Sequence, residues 1–134
     1  MLMHCRYKDD NNEVDSLHVE HLVNDEWQTL DLNIYSPGFD VFLYAILTCQ
    51  HMYFKNNAAE FGLILDSSEG LVTLIADSHR NIKTLDVEFK GKLKKGDITE
   101  EAVTTITARM KLCPVSINLR EIPHTTVKAS FELN

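Results

Sequence analysis

The sequence predicts an α+β fold. Short alternating segments fill the first third of the chain, and a long, nearly continuous apolar run follows. Beyond it, segments switch between the two-residue period of strands and the i+4 spacing of a helix. With 134 residues the chain can bury a core, and residues 1–134 read as one domain. Net charge is −7 with a pI near 5.3, so neither nucleic acid nor an anionic membrane surface is an expected partner. No stretch approaches the roughly 20 apolar residues of a membrane span. The start, "MLMHCRYKDD", lacks the apolar core of a secretory signal. Three cysteines form an odd, sparse set that suits a reducing cytoplasm better than a disulfide framework, so the expected location is cytoplasmic.

"LMHCRYK" and "LHVEHLV" read as strands joined by the polar turn "KDDNNEVD", and "EWQTLDLNIY" alternates through Leu30, Leu32 and Ile34. These three segments predict an antiparallel meander. "SPGFDVFLYAILTCQHMYFKNNAAEFG" predicts a long helix with Ser36 as N-cap, Pro37 at its first position and Gly62 as its stop. From Val41 to Phe54 apolar residues surround nearly the whole helical wheel, which predicts a buried helix, while the more polar residues 55–61 emerge.

"GLVTLIAD" and "NIKTLDVEFKG" follow as strands, the second alternating through Leu85, Val87 and Phe89 with Ile82 out of phase. "KGKLKKGD" reads as a solvated basic turn. "DITEEAVTTITARMKL" predicts a second helix, with Asp97 and Glu100 as its capping signal and Ile98, Ala102, Ile106 and Met110 on one face. "TTVKASFEL" closes the chain as a strand.

Between the second helix and the last strand lies "KLCPVSINLR", where Cys113 directly precedes Pro114. Proline favours the first helical position and pushes the preceding residue out of helical geometry. Cys113 therefore reads as the N-cap of a short helix running to about Arg120. A thiol at that position faces unpaired N–H groups, which favours thiolate. A small hydrophobe at a corner is the alternative reading.

Two stretches resemble one known family. "DVFLYAILTC", Asp40 to Cys49, is similar to the acid-plus-apolar run before the first cysteine of the OsmC/Ohr superfamily. "CPVSINL", Cys113 to Leu119, resembles that family's second-cysteine motif, 64 positions further on. The likeness extends over the order of elements from about residue 26 onward. It implies an OsmC-like two-layer fold, antiparallel sheets with a long buried helix, in an interlocked homodimer. It also implies a peroxidase acting on organic hydroperoxides, with Cys49 as attacking thiol, Cys113 as resolving thiol and a dithiol reductant as partner. The two-thiol logic is sound, because a neighbouring thiol rescues a sulfenic acid before over-oxidation.

The sequence departs from the family pattern around the thiols. The best-characterised branch carries a glutamate ten residues before the first cysteine, which orients an arginine; that position is Phe39 here. Asp40 lies nine residues before Cys49, about 180° round an ideal helix, and better serves the helix N-terminus. Of Arg6, Arg80, Arg109 and Arg120, Arg6 lies in the region where the family's active-site arginine is found. The alternative function is therefore an OsmC-fold dimer that binds ligands at an apolar interface, or senses redox state, without peroxidase turnover.

Simpler readings cover the remaining candidates. Cys5 reads as a strand residue. His18 and His21, three apart on a strand, point to opposite faces, so surface histidines are the simpler reading. His51 is about 200° round the helix from Cys49, poorly placed as its base, and His124 sits in a loop. Tyr44, Tyr53 and Phe54 are most simply core or dimer contacts, with an apolar peroxide pocket as the sharper reading. No phosphate-cradling glycine loop, nucleophile elbow or dinucleotide fingerprint is present, so no cofactor or metal is expected.

Overall fold

The computed structural model describes residues 1–118 and 122–134. Strands β1 (Leu2–Tyr7), β2 (Val14–Val23) and β3 (Glu26–Thr29) form the antiparallel meander, and helix α1 (Gly38–Glu60) follows. Strands β4 (Ile64–Ala76) and β5 (Ile82–Lys95) form a hairpin. Helices α2 (Glu100–Met110) and α3 (Pro114–Ile117) then lead to β6 (His124–Leu133). His124 thus opens the last strand instead of lying in a loop.

All six strands belong to one sheet, in the order β3-β2-β1-β4-β5-β6. The architecture is α+β, with one sheet in place of the plural sheets expected. Nor is the sheet wholly antiparallel: β6 runs parallel to β5, because the connection through α2 and α3 is a crossover, not a hairpin. On the inner face, Met3 and Cys5 of β1 align with Gly70 and Ser68 of β4, and Tyr7 is buried on the same face. Leu85, Val87, Phe89 and Leu93 of β5 continue that buried face, with Phe54 stacked on Phe89 and Phe131. Outward positions carry His4, Arg6, Glu69, Lys90 and Lys92.

Several element boundaries differ from expectation, each for a local reason. β3 stops at Thr29 instead of continuing through Ile34. Asn33 and Ser36 capture the backbone there: Asn33 N–H donates to Ser36 Oγ (2.8 Å) and Tyr35 N–H to Asn33 Oδ1 (2.8 Å). Such side-chain turns compete with strand pairing. Ser36 is thereby occupied and does not cap α1; Pro37 takes the N-cap position with no side-chain cap. Gly62 does end α1, at a φ of 71°.

β4 begins six residues before the expected Gly70. β5 runs through "KGKLKK", expected as a turn, because Leu93 keeps the inward alternation. The turn comes at Gly96, whose φ is 118° and where a Cβ would lie 2.5 Å from the Gly62 carbonyl oxygen. Thr99, not Asp97, caps α2, its Oγ1 accepting from Ala102 N–H (3.1 Å). Ile98 therefore lies before the helix and is exposed, while Ala102, Ile106 and Met110 are buried as expected.

Helix α1 buries one stripe and not its whole circumference. Ile46, Leu47, Gln50, His51, Phe54, Asn57 and Ala58 face the sheet and its neighbours, whereas Val41 (46%) and Met52 (57%) remain exposed. The sheet and the α2–α3 segment cover most of the helix and leave Phe39, Val41 and Met52 exposed. The far end of α1 is tied down by Asn12, fully buried in the β1–β2 turn. Its Nδ2 donates to the carbonyls of Lys55 and Leu63, and its Oδ1 accepts from Leu65 N–H. On the other side of α1, Arg109 of α2 donates to Asn57 Oδ1 (2.6 Å) and pairs with Glu60 (2.6 Å). These ties fix α1 between the sheet and the α2–α3 segment.

Candidate functional site

Cys113 is the N-cap of α3, with Pro114 at the first helical position, as the Cys-Pro junction predicts. Ser116 N–H donates to Cys113 Sγ at 3.3 Å, and the Cys113 thiol donates to Ser116 Oγ at 3.0 Å. The short helix ends at Ile117, not at Arg120; Leu119 and Arg120 lie outside the described residues. Cys113 itself is fully buried.

Cys49, half-buried in the middle of α1, meets this cap. Its thiol lies near enough to the Cys113 thiol and the Val115 backbone N–H for both to act on its ionisation. The first turn of α3 thus donates the Ser116 N–H to Cys113 and sets the Val115 N–H on the side of Cys49. All three cysteines are free thiols, and Cys5 faces the core from β1. Burial, followed by the neighbouring Cys113 thiol, pushes Cys49 up to about 11, against which the Val115 N–H acts. Among the described residues, no cation acts on Cys49.

The acid and arginine candidates lie elsewhere. Asp40, in the first turn of α1, accepts from or pairs with His21 Nδ1 at 3.1 Å, nine residues of helix away from Cys49. Phe39 is partly exposed about 15 Å from Cys49 along the axis, at a rise of about 1.5 Å per residue. Arg6 is exposed on the outer face of the sheet, opposite the face on which α1 packs. Within one chain the fold joins Cys49 to Cys113 and leaves Arg6 and Asp40 apart from both.

One polar group near the thiols, Gln50, escaped the sequence reading. Gln50, next to Cys49 and about 1% exposed, donates from Nε2 to Ser116 Oγ at 2.6 Å. One signal was available: an amide inside a stretch of helix apolar on every side must find a polar partner. His51, also buried, faces the sheet, where its Nε2 lies 2.7 Å from Tyr7 Oη, itself 2.7 Å from Ser68 Oγ. His51 is thus committed to β1 and not to Cys49. Among the described residues, no group of three or more His, Cys, Asp or Glu side chains is arranged to hold a metal ion, and no helix is long and apolar enough to cross a membrane.

No protein-family model matches this chain, and no curated protein matches it. Solved structures do. An OsmC-like protein from Mycoplasma pneumoniae superposes with a TM-score of 0.54 at 12% identity, over 87% of this chain and 87% of that one. A protein from Psychrobacter arcticus, described as osmotic-stress-induced and of the detoxification response, reaches 0.57 at 10% identity over 87% of each chain. A hypothetical protein from Aquifex aeolicus reaches 0.55 at 11% identity, over 87% of this chain and 94% of its own. At these identities the likeness is one of fold.

Proposed function

Because this chain has the fold of the OsmC/Ohr superfamily, we propose that it is a cysteine-dependent peroxidase reducing organic hydroperoxides through Cys49 and Cys113. The observation that carries this reading is the nearness of the two thiols, Cys113 capping α3 and Cys49 facing that cap from α1. Cys49, the more accessible sulfur, attacks the terminal oxygen of the hydroperoxide as thiolate. The O–O bond breaks, the alkoxide leaves and takes a proton as alcohol, and Cys49 becomes a sulfenic acid. Cys113 then attacks that sulfur; the S–S bond forms, the S–O bond breaks and water leaves. A dithiol reductant takes up the oxidation and restores both thiols.

Attack at neutral pH needs a cation at Cys49, since burial holds its thiol near 11. We assign that cation to a second copy of the chain, Arg6 being the candidate the family resemblance offers. A homodimer would also cover the exposed apolar side of α1 and the loop residues Ile34 and Tyr35, each 92% exposed. Residues 1–134 act as one domain in this reading, and the three free thiols suit a reducing cytoplasm.

A second reading has its own support. Phe39 in place of the family glutamate, together with the raised Cys49 thiol, favours a dimeric binding or redox-sensing protein without turnover. Stoichiometric treatment of the reduced protein with an organic hydroperoxide, followed by thiol counting and peptide mass mapping, separates the two. The peroxidase reading expects a rapid Cys49–Cys113 disulfide with an equal amount of peroxide consumed and repeated turnover with a dithiol. Unreacted thiols would leave the binding reading, and a disulfide that forms once without turnover would leave the sensor.

A further inference from the structure

We propose that Ser116 and Gln50 are positioning residues that hold Cys113 ready as the resolving thiolate. The inference deepens the two-thiol reading and rests on it. Ser116 Oγ has two acceptor lone pairs and one hydrogen. In the reduced protein it accepts from the Cys113 thiol at 3.0 Å and from Gln50 Nε2 at 2.6 Å. When Cys113 loses its proton, the first of those bonds must reverse. Gln50 Nε2 still fills one lone pair, and the hydroxyl hydrogen turns to the sulfur. The thiolate then receives two donors, Ser116 Oγ–H and the Ser116 backbone N–H at 3.3 Å. Hydrogen bonds to an ionised acceptor are the stronger kind.

Gln50 also brings a free acceptor to the cluster. It is about 1% exposed, and among the described residues its Oε1 has no hydrogen-bond partner. An amide oxygen buried without a donor is a cost to the fold. The oxidised site supplies what that atom lacks, because a sulfenic acid at Cys49 brings an O–H, a far stronger donor than the S–H it replaces. Gln50 thus orients Ser116 through Nε2 and accepts from the sulfenic acid through Oε1. In the step it assists, the Cys113 sulfur bonds to the Cys49 sulfur, the S–O bond breaks, and the hydroxyl leaves as water with the proton Cys113 gave up.

The test reads ring closure with and without peroxide, in the 134-residue chain carrying Cys5→Ala. An aromatic disulfide reagent is loaded on Cys49, its place verified by peptide mass mapping, and release of the second aromatic thiol times the attack by Cys113. Closure after one equivalent of organic hydroperoxide is timed in parallel. Ser116→Ala and Gln50→Met should each slow closure at neutral pH by tenfold or more and move its half-maximal rate to higher pH. Ser116→Thr, which keeps the hydroxyl, should restore both. Gln50→Glu, isosteric but offering only acceptors, should pull the hydroxyl hydrogen from the sulfur and slow closure at least as much as Gln50→Met. Ser116 is only partly buried, so its variants decide the matter even where a change at Gln50 impairs folding.

Closure within twofold of the parent in Ser116→Ala, with an unchanged pH profile, would overturn the proposal. If hydroperoxide leaves the thiols untouched while aromatic-disulfide closure still depends on Ser116 and Gln50, the peroxidase reading falls and the positioning role stands. If hydroperoxide closes the disulfide equally fast in every variant, the positioning role falls and the peroxidase reading stands.

Discussion

Nε2 of His51 lies 2.7 Å from the hydroxyl of Tyr7, so the histidine nearest Cys49 in sequence is spent on joining α1 to β1. Burial, with a smaller contribution from Lys55, lowers His51 from its ordinary 6.5 to about 4. The folded protein therefore resists a proton that the unfolded chain accepts. Stability from this group is fully present above pH 6.5 and is lost as pH falls toward about 4, on the order of 3 kcal/mol across that window. Urea midpoints at pH 7.5 and pH 5 should show a fall in the parent protein and a smaller one in His51→Phe, which keeps the ring and leaves Tyr7 its bond to Ser68. Asp77, held down to about 2, titrates below this window and does not compete with it. Equal falls in both proteins would remove His51 as the cause.

Cys49 gives a second pH signature, of opposite direction. Only thiolate is alkylated, and a thiol near 11 is almost wholly protonated at pH 7. In dilute, monomeric protein the rate of Cys49 alkylation by iodoacetamide should rise about tenfold per pH unit from pH 7 to pH 10. Raising the protein concentration into the range of association should make alkylation at pH 7 faster, if a second copy brings the cation. Peptide mass mapping follows the Cys49 adduct apart from those of Cys5 and Cys113. A pH-independent rate in the monomer would contradict the burial argument.

Asp40 belongs to the start of α1 and to His21, not to the thiols. Asp40→Asn removes a carboxylate from the first helical turn, an interaction of about 0.3–1 kcal/mol. It should lower the urea midpoint slightly and leave the rate of Cys49–Cys113 closure unchanged. A change in closure rate of tenfold would return Asp40 to the site.

Gly91 is required by close approach and not by backbone conformation. A Cβ there would lie 2.7 Å from Leu65 Cδ2, 3.0 Å from Phe131 Cδ1 and 3.1 Å from Phe54 Cζ. These are the side chains of the stacked Phe54 cluster, and crowding such a core costs roughly 1–3 kcal/mol. Gly91→Ala should lower stability by that amount in equilibrium unfolding. Phe54→Ala, which empties the same place, should cost about 3–5 kcal/mol. A neutral Gly91→Ala would mean that β5 shifts outward to make room.

What the sequence determined was local. The Cys113-Pro114 junction announced a capped helix, because proline geometry and a thiol acceptor act within a few residues. Gly62 announced the end of α1 for the same reason, and the alternation of Leu85, Val87 and Phe89 announced a face of β5. Local signals misled where a nearby competitor was overlooked, as when Ser36 served the Asn33 turn and left the helix uncapped. The resemblance of the two cysteine motifs pointed to the right fold, yet the spacing of 64 residues carried no distance.

Tertiary structure alone decided what meets at α3. Cys49 comes from the middle of one helix and Cys113 from the cap of another, and only the packing of α1 against α3 joins them. The same packing aims Gln50 at Ser116 across 66 positions of sequence, turns His51 to Tyr7 and sends Arg6 to the far face of the sheet. A strand shows alternate residues to opposite faces and a helix turns about 100° per residue. Neighbours in sequence are therefore sent to different surroundings, and which surroundings these are depends on the elements that pack there.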